Sequence, residues 1–379
     1  MPRHLHITQT LDIKRSGGLA GVASLHRAML DCGIVSSLAY SESGAGLPDP
    51  PSSLKLRAVF GNRFYFGWAS ASRLERAIRE AEIVHIHGLY TYMNFLAGKY
   101  CRKYGKVLVC HPHGSLGPTY LRRGRIKKSI VLWLFENRNI QSLSAWRALT
   151  AAESDQIQAF RPGTEVIVVP NGVPIPSDVG RVDGSMAGLS VKADSRKKIF
   201  LFVSRIAYMK GLDILLDAWT QLGPQLADAE LWIAGPDFDG TVQLLRRTID
   251  ERGLGNVTLL GAVSEEQKHW LLRAADVFVL PSRGEGQSSA ILEAMAFGKP
   301  VLITDTCFFP LAAASNAGLE SGLTVAKIAD SIGRFSRMPD PTLRSMSENA
   351  RALISRHFDI RQTVQELDRQ CSEIRPPRS

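Results

Sequence analysis

Apolar and polar positions follow two alternating rhythms along the chain. Short runs such as RHLHIT (3–8), EIVHIHG (82–88), KVLVCHPHG (106–114), SAWRALT (144–150) and EVIVVPNG (165–172) have the length and aliphatic content of strands. Between them GVASLHRAMLDCG, ASRLERAIREA and the segment around YMNFLAGKYCRKYG space their apolar residues as amphipathic helices that stop at glycine or a polar turn. The rhythm lapses over 174–198, where Pro, Gly, Ser and charge take over, and this stretch reads as a linker. It resumes as IFLFVSR (199–205), AELWIAGPD (229–237), VTLLGAV (257–263), DVFVLPS (276–282) and PVLITD (300–305), with helices between. Strands that alternate with helices predict an α/β chain of parallel sheets with crossover helices, and two such series predict two doubly wound domains facing across a cleft.

A length of 379 residues suits two domains, and 45% hydrophobic with 22% charged residues is a folded composition. No apolar run reaches the length of a membrane span, and the N-terminal MPRHLHITQTLDI lacks a signal core, so a cytoplasmic location is expected. Cys32, Cys101, Cys110, Cys307 and Cys371 form no C-x-x-C pair and read as reduced thiols. The net charge of +10 sits in the first half, densest at LRRGRIKK (121–128) before the apolar SIVLWLF. Such a run is usually a solvated helix face, but it also suits contact with an anionic membrane or a lipid diphosphate. No nucleic-acid signature accompanies it.

Candidate chemistry lies at the strand ends. In FVSRIAYMKGLDILLDAW (202–219) Arg205 follows a strand, Lys210 sits in the next turn and Gly211 opens a helix whose Leu212, Leu215, Leu216 and Trp219 face inward. Two cations there can reach one diphosphate, helped by the helix N-terminus. In PSRGEGQSSAILEAMAFG (281–298) a glycine-bearing loop carries Glu285 and presents the amides of Gly286, Gln287 and Ser288 at a helix start, while Glu293 lies within the helix and Gly298 closes it. A helical carboxylate leaning toward the N-terminus suits a vicinal diol such as a ribose. KRSGGLAGVASL (14–25) also reads as a glycine-rich turn into a helix. His85, His87, His111 and His113 occupy two strand ends; such histidines are usually structural, and the pairing favours a site with His113 first and His87 next. No closed ligand set surrounds them, so no metal is expected. The Asp237-Phe-Asp239 pair precedes a helix and reads as capping.

Glu285 and Glu293 in LPSRGEGQSSAILEAMAFGKPV, with FVSRIAYMKG, LWIAGPD, LLGAV, VVPNGV and GGLAG in order, resemble the retaining glycosyltransferases of family 4, which have the GT-B fold. The resemblance implies two Rossmann-like domains: residues 1–175 on the acceptor side with 359–379 packing back onto it, a linker at 176–198, and a nucleotide-sugar-binding domain at 199–358. It implies that Glu293 binds the donor ribose and that Glu285 lies against the transferred sugar near the amides of Gly286, Gln287 and Ser288. By the same resemblance Arg205 and Lys210 neutralise the diphosphate, Gly17 and Gly18 approach the donor phosphate, and His113 contacts the donor sugar. His87 is assigned to the acceptor or to the cleft.

The implied partners are a nucleoside-diphosphate sugar and a glycan acceptor, here a polyprenyl-diphosphate-linked one at the membrane face, with no cofactor and no metal. CFFPL at 307–311 departs from the family's CNFPE, so Phe308 and Leu311 replace polar groups near the donor. With Gln287 in place of an aromatic residue, this points toward enzymes of bacterial surface polysaccharide. A nicotinamide dehydrogenase would need G-x-G-x-x-G where residues 17–21 read G-G-x-x-G. A non-catalytic sugar-nucleotide-binding protein would keep the nucleotide contacts and lose the sugar-facing ones, whereas Glu285 and His113 are both present. A glycosyltransferase acting on a small molecule or simple lipid would carry the same motifs.

Overall fold

The computed structural model describes residues 2–11, 17–42, 50–56, 68–89, 91–113, 116, 137–194 and 196–376. These fall into two compact units, Met1–Gly172 with Ile360–Ser379, and Val173–Asp359. The basic run 121–128 and the apolar segment after it lie outside the described residues.

The first unit holds a parallel sheet of seven strands among the described residues: β1 (His4–Thr10), β2 (Ser36–Glu42), β3 (Ser53–Lys55), β4 (Ile83–His87), β5 (Val107–His111), β6 (Ala145–Ala148) and β7 (Val166–Val168). Their order is β3-β2-β1-β4-β5-β6-β7. β2 and β3 were not expected. Ser36, Ser37 and Ser53 weaken their apolar pattern, and pairing of β2 with β1 and of β3 with β2 makes them strands.

Side chains alternate across a strand, which gives this sheet two unlike faces. Leu5, Ile7, Val84, Ile86, Leu108 and Cys110 pack with Leu74, Ile78, Met93 and Leu96 of the helices Trp68–Glu80 and Tyr92–Tyr104. The opposite face carries His4, His6, His85, His87 and His111, all buried. The helices Gly17–Asp31 and Ile360–Glu373 pack beside it, through Met29, Val364, Leu367 and Cys371 with Ile83, Val107 and Val109. The last helix thus returns to the N-terminal sheet.

The second unit contains a small antiparallel pair, β8 (Gly184–Ser185) and β9 (Lys192–Ala193), and a six-stranded parallel sheet. Its strands are β10 (Lys198–Val203), β11 (Ala229–Ala234), β12 (Val257–Gly261), β13 (Val277–Leu280), β14 (Val301–Thr304) and β15 (Gly318–Ser321), in the order β12-β11-β10-β13-β14-β15. VFVL and VLIT are buried throughout, as central parallel strands covered on both faces must be. Residues 176–198, expected to link the units, fall within this one. Val191 and Ala193 are buried in its core, two apolar positions too isolated among polar ones to register as a pattern.

Four of the five cysteines are buried and all are free. Burial pushes the thiols of Cys101 and Cys371 up to about 12, so they pack as small apolar groups. Among the described residues no helix is long and apolar enough to cross a membrane.

Candidate active site

In the second unit the loops after β10, β13 and β14 meet. Arg205 lies two residues past β10, and Lys210 ends the short turn Tyr208–Lys210. Lys210 Nζ reaches Glu285 Oε1 at 2.5 Å, both side chains being 12% exposed. Ser282 Oγ donates to the same carboxylate oxygen at 2.5 Å. Burial lowers the pKa of the Arg205 guanidinium, and nearby Glu285 offsets part of that; its plane stacks 4.5 Å from the Phe238 ring centre. Arg205, Lys210 and Glu285 are therefore brought together, with one net positive charge.

Residues with no signal of their own in the sequence hold this loop in place. Arg283 forms a forked pair with Asp213 at 2.9 and 2.6 Å and donates to the Tyr208 carbonyl, while its own amide donates to the Met209 carbonyl. The Glu285 amide donates to the Thr306 carbonyl, and the hydroxyls of Thr304 and Thr306 both donate to the Ser282 carbonyl. Asp237 and Asp239 accept from the Gly240 amide and the Thr241 hydroxyl at a helix start capped by Gly240 itself. Asp239 also accepts from the Tyr208 amide, bracing the Lys210 turn.

Gly286, Gln287 and Ser288 lead into the helix Ser289–Ala296, with Ser288 at its cap and Gly298 left-handed just past its end. Glu293 sits on that helix, and its Oε2 accepts from Lys268 Nζ at 2.8 Å. Burial works against the Lys268 charge, but Glu293 and Glu265 outweigh it and raise the pKa. Lys268, on the helix Glu265–Ala274, was not expected. Phe308 and Leu311 are both exposed, Phe308 two residues beyond the Thr306 carbonyl that holds Glu285.

Gly211 makes the Lys210 turn possible. It is left-handed at φ +68°, and a Cβ would lie 2.0 Å from the Pro281 carbonyl oxygen. Gly211→Ala is expected to destabilise the protein by roughly 1–3 kcal/mol and to lower turnover by displacing Lys210. Thermal unfolding and activity measured together check this; an unchanged midpoint would refute it.

In the first unit two chains of imidazoles cross β1, β4 and β5. Asp368 Oδ1, His4, His85, His111 and Arg147 form one, with contacts of 2.9, 2.9, 2.9 and 3.3 Å. Met29 Sδ, His6, His87 and His113 form the other, at 3.2, 3.0 and 2.9 Å. Burial lowers the pKa of all six rings, with Arg147 adding to the effect on His113, which falls to about 3. His87 lies behind His113, both its ring nitrogens engaged. The three H-x-H strings at 4–6, 85–87 and 111–113 are the signal that could have added His4 and His6. Ring nitrogens of His87, His111 and His113 lie within 4.8 Å of one another. All of their ring nitrogens except His113 Nδ1 hydrogen-bond within these chains, beside the buried Arg147. Gly17 and Gly18, expected in a loop, form the first turn of the helix Gly17–Asp31.

A family model described as Glycosyltransferase Family 4 matches residues 17–175, and one described as Glycosyl transferases group 1 matches residues 190–353. Over 281 residues the chain is 30% identical to the GDP-mannose:cellobiosyl-diphosphopolyprenol alpha-mannosyltransferase of Xanthomonas oryzae pv. oryzae, spanning 72% of this chain and 68% of that protein. The chain belongs to glycosyltransferase family 4.

This glycosyltransferase is also 30% identical over 195 residues to the lipopolysaccharide core biosynthesis mannosyltransferase LpsB of Rhizobium meliloti, spanning 49% of this chain and 54% of that one. Its structure matches that of Anabaena HepE in complex with UDP-glucose at a TM-score of 0.75 and 19% identity, over 99% of this chain and all of that one. Its fold is GT-B.

Proposed function

We propose that this family 4 glycosyltransferase moves a sugar from a nucleoside diphosphate to a hydroxyl of a glycan or lipid-linked glycan, with retention at the anomeric carbon, in bacterial surface polysaccharide synthesis. The observation that carries the reading is the convergence of Arg205 and Lys210 with Glu285 beside the helix start at Ser289. Half-buried cations next to oriented amides suit a leaving diphosphate. The bond from the anomeric carbon to the diphosphate oxygen breaks, and the acceptor oxygen bonds to the same face of that carbon. The acceptor proton passes to the departing phosphate oxygen, and Arg205 and Lys210 stabilise the charge that develops there.

Glu285 takes hydroxyls of the transferred sugar, and Glu293 takes the ribose diol, which it then shares with Lys268. The amides of Gly286, Gln287 and Ser288 face the donor's anionic groups. Side-chain cations fill the role a metal would otherwise have, so the reaction needs neither metal nor cofactor. The acceptor proposed is a polyprenyl-diphosphate-linked glycan. Support comes from the named substrate of the Xanthomonas relative and from the basic stretch 121–128, which suits peripheral contact with an anionic membrane.

Incubation with GDP- and UDP-sugars and polyprenyl-diphosphate-linked acceptors, with and without a chelator, tests this. One donor should be consumed at the same rate in both conditions, and Glu285→Gln should abolish most of that turnover. Binding without turnover of any donor would leave a non-catalytic sugar-nucleotide-binding protein instead.

A further inference from the structure

The two imidazole chains have directions that donor and acceptor chemistry assigns. Arginine only donates and carboxylate only accepts. Arg147 Nη1 therefore donates to His111 Nδ1, and each ring passes a hydrogen bond from its Nε2–H onward to Asp368. That chain is closed at both ends, since Arg147 also donates to the carbonyls of Val169 and Pro170.

The second chain starts from a thioether, which can only accept. His6 must then carry its hydrogen on Nε2, donated to Met29 Sδ. His6 Nδ1 accepts from His87 Nε2–H, and His87 Nδ1 accepts from His113 Nε2–H. The remaining nitrogen, His113 Nδ1, carries a bare lone pair. It is buried and has no hydrogen-bond partner among the described residues. His113 also holds a left-handed backbone at φ 50°, which costs energy in a residue with a Cβ. A buried unpaired acceptor on a strained residue, at the end of a chain of otherwise satisfied rings, is an arrangement that a ligand completes.

We propose that Met29, His6 and His87 are positioning residues that hold His113 in its Nε2–H tautomer, so that Nδ1 accepts a hydrogen bond from a hydroxyl of the bound sugar. That the hydroxyl belongs to the transferred sugar is what the family resemblance implies and rests on the function proposed above; the tautomer does not. The sulfur at the far end cannot take up a proton, so the chain orients and does not relay. A ring whose pKa has fallen to about 3 remains a neutral acceptor at physiological pH. The position therefore selects a hydrogen-bond donor and rejects a bare acceptor such as a phosphate or carboxylate oxygen, or fluorine in place of the hydroxyl.

Nitrogen-15 NMR of histidine-labelled full-length protein reads the tautomer without reference to activity, with His113 assigned by a His113→Asn variant. The expected spectrum has His113 protonated at Nε2 and bare at Nδ1. His87→Phe and the more distant His6→Phe should each mix the two tautomers. His87→Asn, whose amide oxygen stands in for Nδ1, should restore the single form. Turnover should fall roughly tenfold in the two Phe variants and stay within about threefold in His87→Asn, as expected for one misdirected hydrogen bond. Thermal unfolding identifies variants that fail to fold, and the wild-type spectrum decides the tautomer by itself.

A His113 protonated at Nδ1, a tautomer indifferent to His6 and His87, or stoichiometric zinc bound through these rings would overturn the chain. A donor series deoxygenated or fluorinated one position at a time tests the hydroxyl. One position should lose about tenfold with either change, and uniform turnover across the series would overturn that part. If no nucleotide sugar is turned over while the Nε2–H form stands, the proposed function falls and the tautomer assignment survives.

Discussion

Lys210→Ala is expected to lower turnover of the nucleotide sugar on the order of 10²–10³-fold, the usual effect of removing one group aimed at charge that develops in the transition state. Most of the loss should fall on kcat, because the charge on the diphosphate oxygen grows as the glycosidic bond breaks. Lys210 is held at 2.5 Å by Glu285 before any donor arrives, so the ammonium is already in place and little reorganisation accompanies binding. Its removal also leaves the largely buried Glu285 carboxylate without its ammonium partner, though Ser282 still donates to it, which destabilises the fold independently of chemistry. The double variant Lys210→Met, Glu285→Gln removes both charges and separates the two effects. It should recover the unfolding midpoint while remaining inactive. Steady-state kinetics at saturating donor, read beside thermal unfolding, check this, and Lys210→Ala with turnover within threefold of wild type would exclude the assigned role.

Acidification should unfold the first unit over a narrow range below pH 6.5. His6, His85, His87 and His111 have pKa values held well below the ordinary histidine value by burial, and His113 falls to about 3. In the unfolded chain these rings regain ordinary values near 6.5 and bind protons first. Stability is therefore complete above that pH and is lost as pH falls toward the folded values. Each ring that stays neutral only in the folded state removes up to about 1.4 kcal/mol per pH unit.

Five such rings can exhaust a stability of roughly 5–15 kcal/mol within one to three pH units. Asp368 and Glu82 oppose the trend at His4, and the Arg147 cation strengthens it at the other rings. Circular dichroism melts between pH 7.5 and 5 should show a falling midpoint, and hydrogen exchange should accelerate first in β1, β4 and β5. A midpoint constant across that range would contradict the burial of neutral rings.

The fold was legible because its signals are local. The apolar runs that became β10, β11, β13 and β14 could satisfy their periodicity in few other ways, and the helix Leu212–Leu222 buries the four residues its spacing selects. β2, β3 and β15 were not legible, since serine and charge break their apolar pattern and the strands they pair with supply the regularity. Residues 176–198 misled for a related reason: two buried side chains, Val191 and Ala193, place a polar stretch inside the second unit.

Within the candidate site, Arg205, Lys210, Glu285 and Glu293 stood out because charged residues at strand ends and helix starts need a reason to be there. Their supports did not. Arg283, Asp213, Lys268 and Thr306 are ordinary residues in sequence, and only the approach of three loops makes them partners. The sequence by itself determined the two α/β series, the cation and carboxylate types, and the histidines at two strand ends. The tertiary structure decided which charges pair and how the rings join. Parallel register sets His6 beside His85 and His87 beside His111, while two covering helices supply Met29 and Asp368 as terminal acceptors. A hydrogen-bond chain across three strands and two helices has no linear signature, because its order in space is not its order along the chain.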